Sequence, residues 1–475
     1  MRWVIGLIAA FVATSASAGD DPKPGLLLVP PSEIAAVEAR VMAGLAAYQE
    51  RRCPRQVLRG QPEPGSGTDA VRDLGEGRGE HGRCLAFIEA NKEALAPEDF
   101  DAFLASGAGV DAALLGSLDE ACGGVAAAVG AAVAHGDVCS PWRPGVRGNP
   151  SFLPLMRTAK IQVILARTGY RPEDALAHAR AALDRIRFDQ DTVRGGGTLI
   201  AAMVSVASVV SYQGPWLRWI LERGDLDAAG YGEVADALGI LVATEPPIGG
   251  IIEADGYWGF LQLILPLVHG LGWVPPGGWD DGHPPVADAA EGIFGARTLF
   301  DERTDAALLA VAMDQIQRAQ AEACPRDAPA LACAEGLRRH AEEMIRRNEL
   351  STARRIIRVL GSPEPRREVI GWITDILMGI GTPAFDKYVE KYALRSLRLT
   401  TLRLHAAVLR EWAGTGVCRE DFGEAPWAAL AADPVFGGPL GLSRDPDTGE
   451  QVIRPGGAFR TESINEQVEY RYRCP

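Results

Sequence analysis

The chain has 475 residues, of which 47% are hydrophobic and 23% charged, and its 62 Asp and Glu outnumber 48 Lys and Arg for a formal charge of −14. That balance belongs to an ordinary globular protein with a sizeable core, either two or three domains or one large helical array, and not to a disordered or fibrous chain. So many carboxylates repel phosphate backbones and anionic lipid, which argues against nucleic acid or a membrane surface as the main partner.

The chain opens with Met1 and Arg2, an apolar run from Trp3 to Val12 and the small residues Ser15-Ala16-Ser17-Ala18. This is the layout of an export signal cleaved after residue 18, and the run is too short to span a bilayer. No cysteine follows the cleavage point, so a lipid anchor is not expected. The expected organisation is a signal peptide at 1–18, an N-terminal helical domain at 19–145, a central helical array at 146–416 and a small β-rich segment at 417–475.

From Ser32 the apolar residues Ile34, Val37, Val41, Leu45 and Tyr48 recur at three and four, an amphipathic helix that Ser32 can cap. Residues 59–82 are rich in Gly and poor in apolar side chains and predict a flexible loop. Helical periodicity resumes at Cys84 and runs to about His135, and SPWRPGVRGNP at 140–150 reads as a linker. Pro172-Glu173-Asp174 opens a helix whose apolar face carries Leu176, Ala179, Leu183 and Ile186. Gly195 to Leu217 has no charge, but Pro215, Gln213, Tyr212 and four serines or threonines interrupt it, so a buried core helix is predicted in place of a membrane span.

Further helical patterns cover about 227–243, 248–270, 303–322, 329–347, 350–360, 366–380 and 383–413. No fixed-period repeat holds, although TGYRPEDALAHARAALDRI resembles the second half of a tetratricopeptide unit. The layout predicts an all-α antiparallel helical array, an irregular solenoid or an α/α toroid. After Cys418 the texture changes, and Asp447-Thr448-Gly449 predicts a hairpin turn in a small β-rich C-terminal end.

The eight cysteines, Cys53, Cys84, Cys122, Cys139, Cys324, Cys333, Cys418 and Cys474, are an even set in a chain predicted to enter an oxidising compartment. Disulfides are the expected use, with two bridges inside 53–139, one joining Cys324 to Cys333 and one joining Cys418 to Cys474. No C-x2-C or C-x2-H pair favours zinc, and no cofactor or metal is expected.

The strongest candidate site lies between Glu245 and Asp288. Glu245, Glu253 and Asp255 precede Tyr257 and Trp258, and the loop GWVPPGGWDDGHPP adds Trp273, Trp279, Asp280, Asp281 and His283. Paired carboxylates against aromatic walls suit sugar chemistry, which needs one acid kept protonated by an apolar neighbour, a second kept ionised, and rings that stack on pyranose faces. The plainer reading is a surface loop whose tryptophans fill core and whose acids are solvated. Asp280, Asp281 and His283 supply at most three metal ligands at awkward spacing, and Asp445, Asp447 and Glu450 fit a solvated hairpin better than a calcium loop. Nucleophile elbows, S-x-x-K and H-E-x-x-H are absent. The arginines of 338–367 alternate with glutamates and read as solvated, salt-bridged helix faces, with a basic docking strip as the alternative.

The segment ILERGDLDAAGYGEVADALGILVATEPPIGGIIEADG resembles the central helices of an uncharacterised group of exported all-helical bacterial proteins. In that group a long helix similar to 383–413 leads into a tail similar to 417–454. The tail's DPVFGGPL is also similar to the DP-x-G-x-P-L run near the end of type II secretion pseudopilins, although the pilin's N-terminal methylated helix and its closing glycines and aspartates have no counterpart here. These resemblances imply a fold and carry no catalytic residue across. The sequence thus predicts a non-catalytic helical scaffold or binding protein, periplasmic or extracellular, with a protein or glycan as partner and no membrane span after signal removal. The alternatives are a helical-toroid hydrolase or lyase acting on a glycan through Glu253 or Asp255 with Asp280 or Asp281, and an accessory of a secretion apparatus.

Overall fold

The structure, a computed structural model, describes residues 29–52, 79–95, 100–136, 153–195, 199–260, 302–348 and 352–474, with the single positions Ala70, Asp73 and Val138. The predicted signal segment, Cys53, Cys139, Trp273, Trp279, Asp280, Asp281, His283 and the side chain of Trp258 lie outside the described residues.

The fold is an all-α array with a small β-rich end. The predicted first helix is α1 (Pro31–Arg52), which starts one residue before Ser32 because Pro31 already has the backbone angle of a first helical turn. The short helices α2 (Gly79–Ala90), α3 (Phe100–Ser106), α4 (Ala112–Cys122) and α5 (Gly124–His135) follow. α2 begins five residues ahead of Cys84, inside the segment predicted as loop. Cys84 and Cys122 are paired, and the packing of α2 on α4 overrides the weak helix propensity of Gly79 and Gly82.

Asp111 caps α4 by accepting the Ala113 N–H at 2.9 Å, and Gly136, at φ 79°, ends α5 in the left-handed conformation that a side chain resists. Then come α6 (Leu153–Thr168), α7 (Ala175–Arg194), α8 (Leu199–Ala207), a π turn at Ser208–Tyr212, α9 (Gln213–Glu222), α10 (Ala228–Ala243) and α11 (Ile248–Gly259). The remaining helices are α12 (Glu302–Ala323), α13 (Ala330–Asn348), α14 (Thr352–Gly361) and α15 (Pro365–Thr415).

The predicted break between 380 and 383 does not occur. α15 runs unbroken for 51 residues, about 75 Å at 1.5 Å per residue. Pro383 costs this helix one backbone hydrogen bond, on the order of 3 kcal/mol. Packing of α12, α13 and α14 on the helix and of α8, α9 and α10 on its C-terminal part outweighs that loss. The main core runs through α2–α11, α13, α15 and the C-terminal segment, from Cys84 to Tyr472. A smaller core joins Val37, Val41, Leu45 and Tyr48 of α1 to Ala254 and Phe260, to Leu308 and Val311 of α12 and to Ile370 of α15.

The C-terminal segment forms a three-stranded antiparallel sheet, β1 (Gly441–Arg444), β2 (Gln451–Arg454) and β3 (Tyr470–Tyr472), in the order β1-β2-β3. The predicted hairpin joins β1 to β2. Asp445 Oδ1 accepts the N–H groups of Asp447 (3.0 Å) and Thr448 (3.2 Å), and Gly449 takes φ 72°. Cys324–Cys333 and Cys418–Cys474 are paired as predicted.

Among the described residues two helical stretches, Ala113–His135 and Leu199–Glu222, are long and apolar enough to cross a membrane, and Ala228–Ala243 with Ile248–Tyr257 forms a third as a pair bent by 56°. Leu199–Glu222 sits partly in the core, with Ser205, Ser208, Gln213 and Trp216 buried and Ile200 and Met203 exposed. Gln213 Nε2 donates to the Ala159 carbonyl at 3.0 Å, tying the stretch to α6.

Candidate functional site

The described part of the predicted site is α11 with the turn before it. Pro246-Pro247 stops α10 from continuing and sets the first turn of α11, whose Ile248, Ile251 and Ile252 enter the core. Glu253 and Tyr257 are one turn apart and share a face, so the Tyr257 hydroxyl donates to Glu253 Oε1 at 2.9 Å. Asp255, two residues on, points roughly 200° away around the helix. The helical repeat itself therefore keeps Glu253 and Asp255 from facing each other.

Each of the three described acids has its own partner. Arg326, in the loop closed by Cys324–Cys333, grips both oxygens of Glu253, with Nε donating to Oε2 at 2.7 Å. Gly249 makes that docking feasible, because a Cβ there would lie 2.3 Å from the Pro325 carbonyl oxygen. Asp255 accepts the Leu199 N–H at 2.9 Å and so caps α8 from another helix. The Tyr388 hydroxyl of α15 donates to the carbonyl of the same Leu199. Glu245 is paired with Arg395 of α15. Tyr257 lies beside Gly44 of α1, where an added Cβ would meet its ring.

Burial acts on two of these carboxyls. Burial pushes the Asp255 carboxyl up to about 6, opposed only by the Leu199 N–H. Burial also raises Glu245, against the pull of Arg395. Asp255 is thus the described acid that resembles a protonated catalytic acid, although its hydrogen bond is structural.

The sign of its effect on stability is fixed. A carboxyl whose native pKa exceeds its ordinary value of 3.8 carries no penalty below that pH, and the penalty grows as the pH rises through about 6. The full difference is worth about 3 kcal/mol. Asp255→Asn keeps the acceptor for Leu199 and removes the buried charge. It is expected to raise the urea midpoint at pH 8 and leave it unchanged near pH 4; equal midpoints at both pH values would show that Asp255 is solvated.

A second feature joins this site to a network absent from the sequence reading. Arg395 Nε donates to Ser205 Oγ at 3.0 Å and Nη2 to Gln190 Oε1 at 2.7 Å, while Gln190 Nε2 donates to the Leu241 carbonyl at 2.9 Å and to Thr244 Oγ1 at 3.1 Å. On α7, Arg185 pairs with Asp189 at 3.0 Å and also donates to Thr158 (3.1 Å) and Gln162 (3.0 Å) of α6. Arg185, Asp189, Gln190, Ser205 and Arg395 are all almost completely inaccessible. The readable signal was the i, i+4 pair Arg185 and Asp189; the burial of the helix on every side from Phe188 to Val193 is seen only in the fold.

Compared with known proteins, the chain matches no protein family, no curated protein and no solved structure. The site must be read from its own chemistry.

The arginines singled out between 338 and 367 lie mainly in ion pairs. Arg338 holds Glu335 (2.5 Å) and Glu342, Arg339 reaches Glu335 (3.8 Å), Arg358 meets Glu368 (3.1 Å), Arg366 meets Glu33 (3.0 Å) and Arg367 meets Glu364 (3.4 Å). Arg358, Arg318, Glu322, Glu368 and Trp372 line a cleft of about 700 Å³ between α12, α14 and α15. Arg318 is engaged by Asp314 (2.6 Å), so the cleft mixes both signs of charge and is no uniform basic strip. In the hairpin Asp445 pairs with Arg471 (2.7 Å) and Glu450 with Arg473 (3.2 Å).

Proposed function

We propose that the protein is an exported, non-catalytic helical scaffold or binding protein of the periplasm or the extracellular space, whose partner is a protein or a glycan. The observation that carries this reading is the occupation of the described candidate acids. Glu253 is clamped by Arg326 and Tyr257, Glu245 by Arg395, and Asp255 by the start of α8, so each builds structure. Three paired sets of cysteines are compatible with an oxidising location. The net charge of −14 disfavours polyanionic partners. On this reading the apolar stretches Ala113–His135 and Leu199–Glu222 are core elements and not membrane spans.

A second reading, a glycan-active hydrolase or lyase, draws support from the upward-shifted Asp255, which would serve as acid with Asp280 or Asp281 as base. The two readings separate in one assay. The purified chain is incubated with a panel of neutral and acidic polysaccharides while new reducing ends and ultraviolet-absorbing unsaturated ends are measured. The scaffold reading expects no product above the buffer rate, with or without Asp255→Asn and Asp280→Asn. Turnover in the wild type that both variants abolish with unchanged circular dichroism would overturn it.

A further inference from the structure

The C-terminal unit from Cys418 to Cys474 docks on α15 through a contact that the proposed function leaves unused. At its centre is His405, whose side chain is fully buried. Its Nδ1 shares a 2.8 Å hydrogen bond with the Tyr470 hydroxyl of β3, and its ring lies 4.3 Å from that of Tyr472. Among the described residues Nε2 of His405 has no hydrogen-bond partner, and neither has the Tyr472 hydroxyl or Oε1 of Gln451, the register partner of Tyr472 across β2 and β3. Buried polar atoms left unpaired make an interface easy to open.

The charges around the imidazole are mostly unfavourable to a cation. From α9, Arg218 lies over the Tyr470 ring at 5.5 Å, and its charge acts on the imidazole. From α15 itself, Arg398 also lies over that ring, at 5.6 Å. The nearby carboxylates are already engaged, Glu222 with Arg218 (2.8 Å) and Glu450 with Arg473 (3.2 Å). Asp101 of α3 acts on Arg398. From β3 come the two tyrosines, while Arg471 between them pairs with Asp445 (2.7 Å) and Glu469 (3.0 Å). Burial, and then Arg218, hold His405 well below the usual imidazole range.

Elsewhere the unit is held by contacts that a change in His405 leaves in place. Glu390 accepts the N–H groups of Arg460 (3.2 Å) and Thr461 (3.1 Å), Glu335 pairs with Arg460 (3.0 Å), and Arg398 donates to the Gln467 carbonyl. Gly416, at φ 71°, ends α15 and provides a pivot, and Cys418–Cys474 closes the unit on itself.

We propose that His405 makes docking of the C-terminal unit acid-sensitive: β3 is clasped to α15 while the imidazole is neutral and loosens from it when the ring takes a proton, with the Glu390, Glu335 and Arg398 contacts still holding the unit. The sign follows from linkage. A group whose docked form resists protonation favours docking above its ordinary pKa, and docking is lost as the pH falls below that value of about 6.5. The opening constant then rises by up to about tenfold per pH unit, on the order of 30-fold between pH 7.5 and 5. Asp445 and Glu469, held below the usual carboxylate range by Arg471 and Arg454 respectively, stay ionised throughout this window.

Hydrogen exchange on the full, disulfide-intact chain tests the clasp by comparing peptides of 441–472 with peptides of 388–412 from pH 7.5 to 5, after correction for intrinsic rates. The expected result is a rise confined to 441–472 in the wild type, absent in His405→Phe and kept in Tyr470→Phe, which loosens the same contact but leaves the imidazole to titrate. A flat wild-type profile overturns the proposal. So does an equal rise in 388–412, which would be global acid unfolding, or a slope that survives in His405→Phe, which would belong to Glu222 or another group.

Discussion

Arg395→Met is expected to destabilise the protein by about 3–5 kcal/mol, the cost of leaving a buried charge without its partner. The guanidinium satisfies Glu245, Gln190 and Ser205 at once, on three different parts of the fold. Methionine fills much of the volume but donates nothing, so all three acceptors lose their donor. Arg395→Lys keeps the charge but not the planar fork and should fall between the two. The companion variant Arg395→Met with Glu245→Leu removes both charges and is expected to recover most of the loss. Urea midpoints for the four proteins decide the matter. A single-variant loss under about 1 kcal/mol would mean that water replaces the guanidinium and that the network is not a structural requirement.

Arg185→Leu should produce a loss of similar size, about 3–5 kcal/mol, with a pH signature that Arg395→Met does not share so clearly. Asp189 is buried with Arg185, and burial already raises its carboxyl against the opposing pull of the arginine. Without Arg185 the carboxyl binds a proton more readily, so the deficit should be smaller at pH 5 than at pH 8. Arg395 also acts on Asp189, which makes the two arginines one electrostatic unit. The double variant should therefore depart from additivity by about 0.5–3 kcal/mol. Strict additivity would show two independent ion pairs.

The parts of this fold that follow from local chemistry were legible in the sequence. The stripe of Val37, Val41, Leu45 and Tyr48 became the buried face of α1, Asp447-Thr448-Gly449 became a hairpin turn, and Cys324–Cys333 and Cys418–Cys474 paired as their spacing suggested. What escaped depends on distant partners. Gly79–Gly82 is helical because α2 rests on α4, and α15 continues through Pro383 because neighbouring helices hold both of its halves. Proximity in sequence brought Glu245, Glu253 and Asp255 to notice, but the helical repeat sent them to Arg395, Arg326 and Leu199, partners contributed by other parts of the chain. The polar residues that matter most to the core, Arg185, Gln190 and Arg395, resemble surface residues of amphipathic helices. A pattern read along one helix cannot show that another helix lies over its polar face.

α15 also sets a timetable. It is the last long helix in the chain, yet α8, α9, α10, α12 and α13 all pack on it. Tyr388 and Arg395 find their partners 189 and 190 residues upstream. A nascent chain that has not yet reached residue 388 holds helices that can pack on one another but whose faces toward α15 are uncovered, and closing contacts over such separations is slow. The faces of α8, α9, α10, α12 and α13 that meet α15 must therefore wait for a helix that is translated near the end.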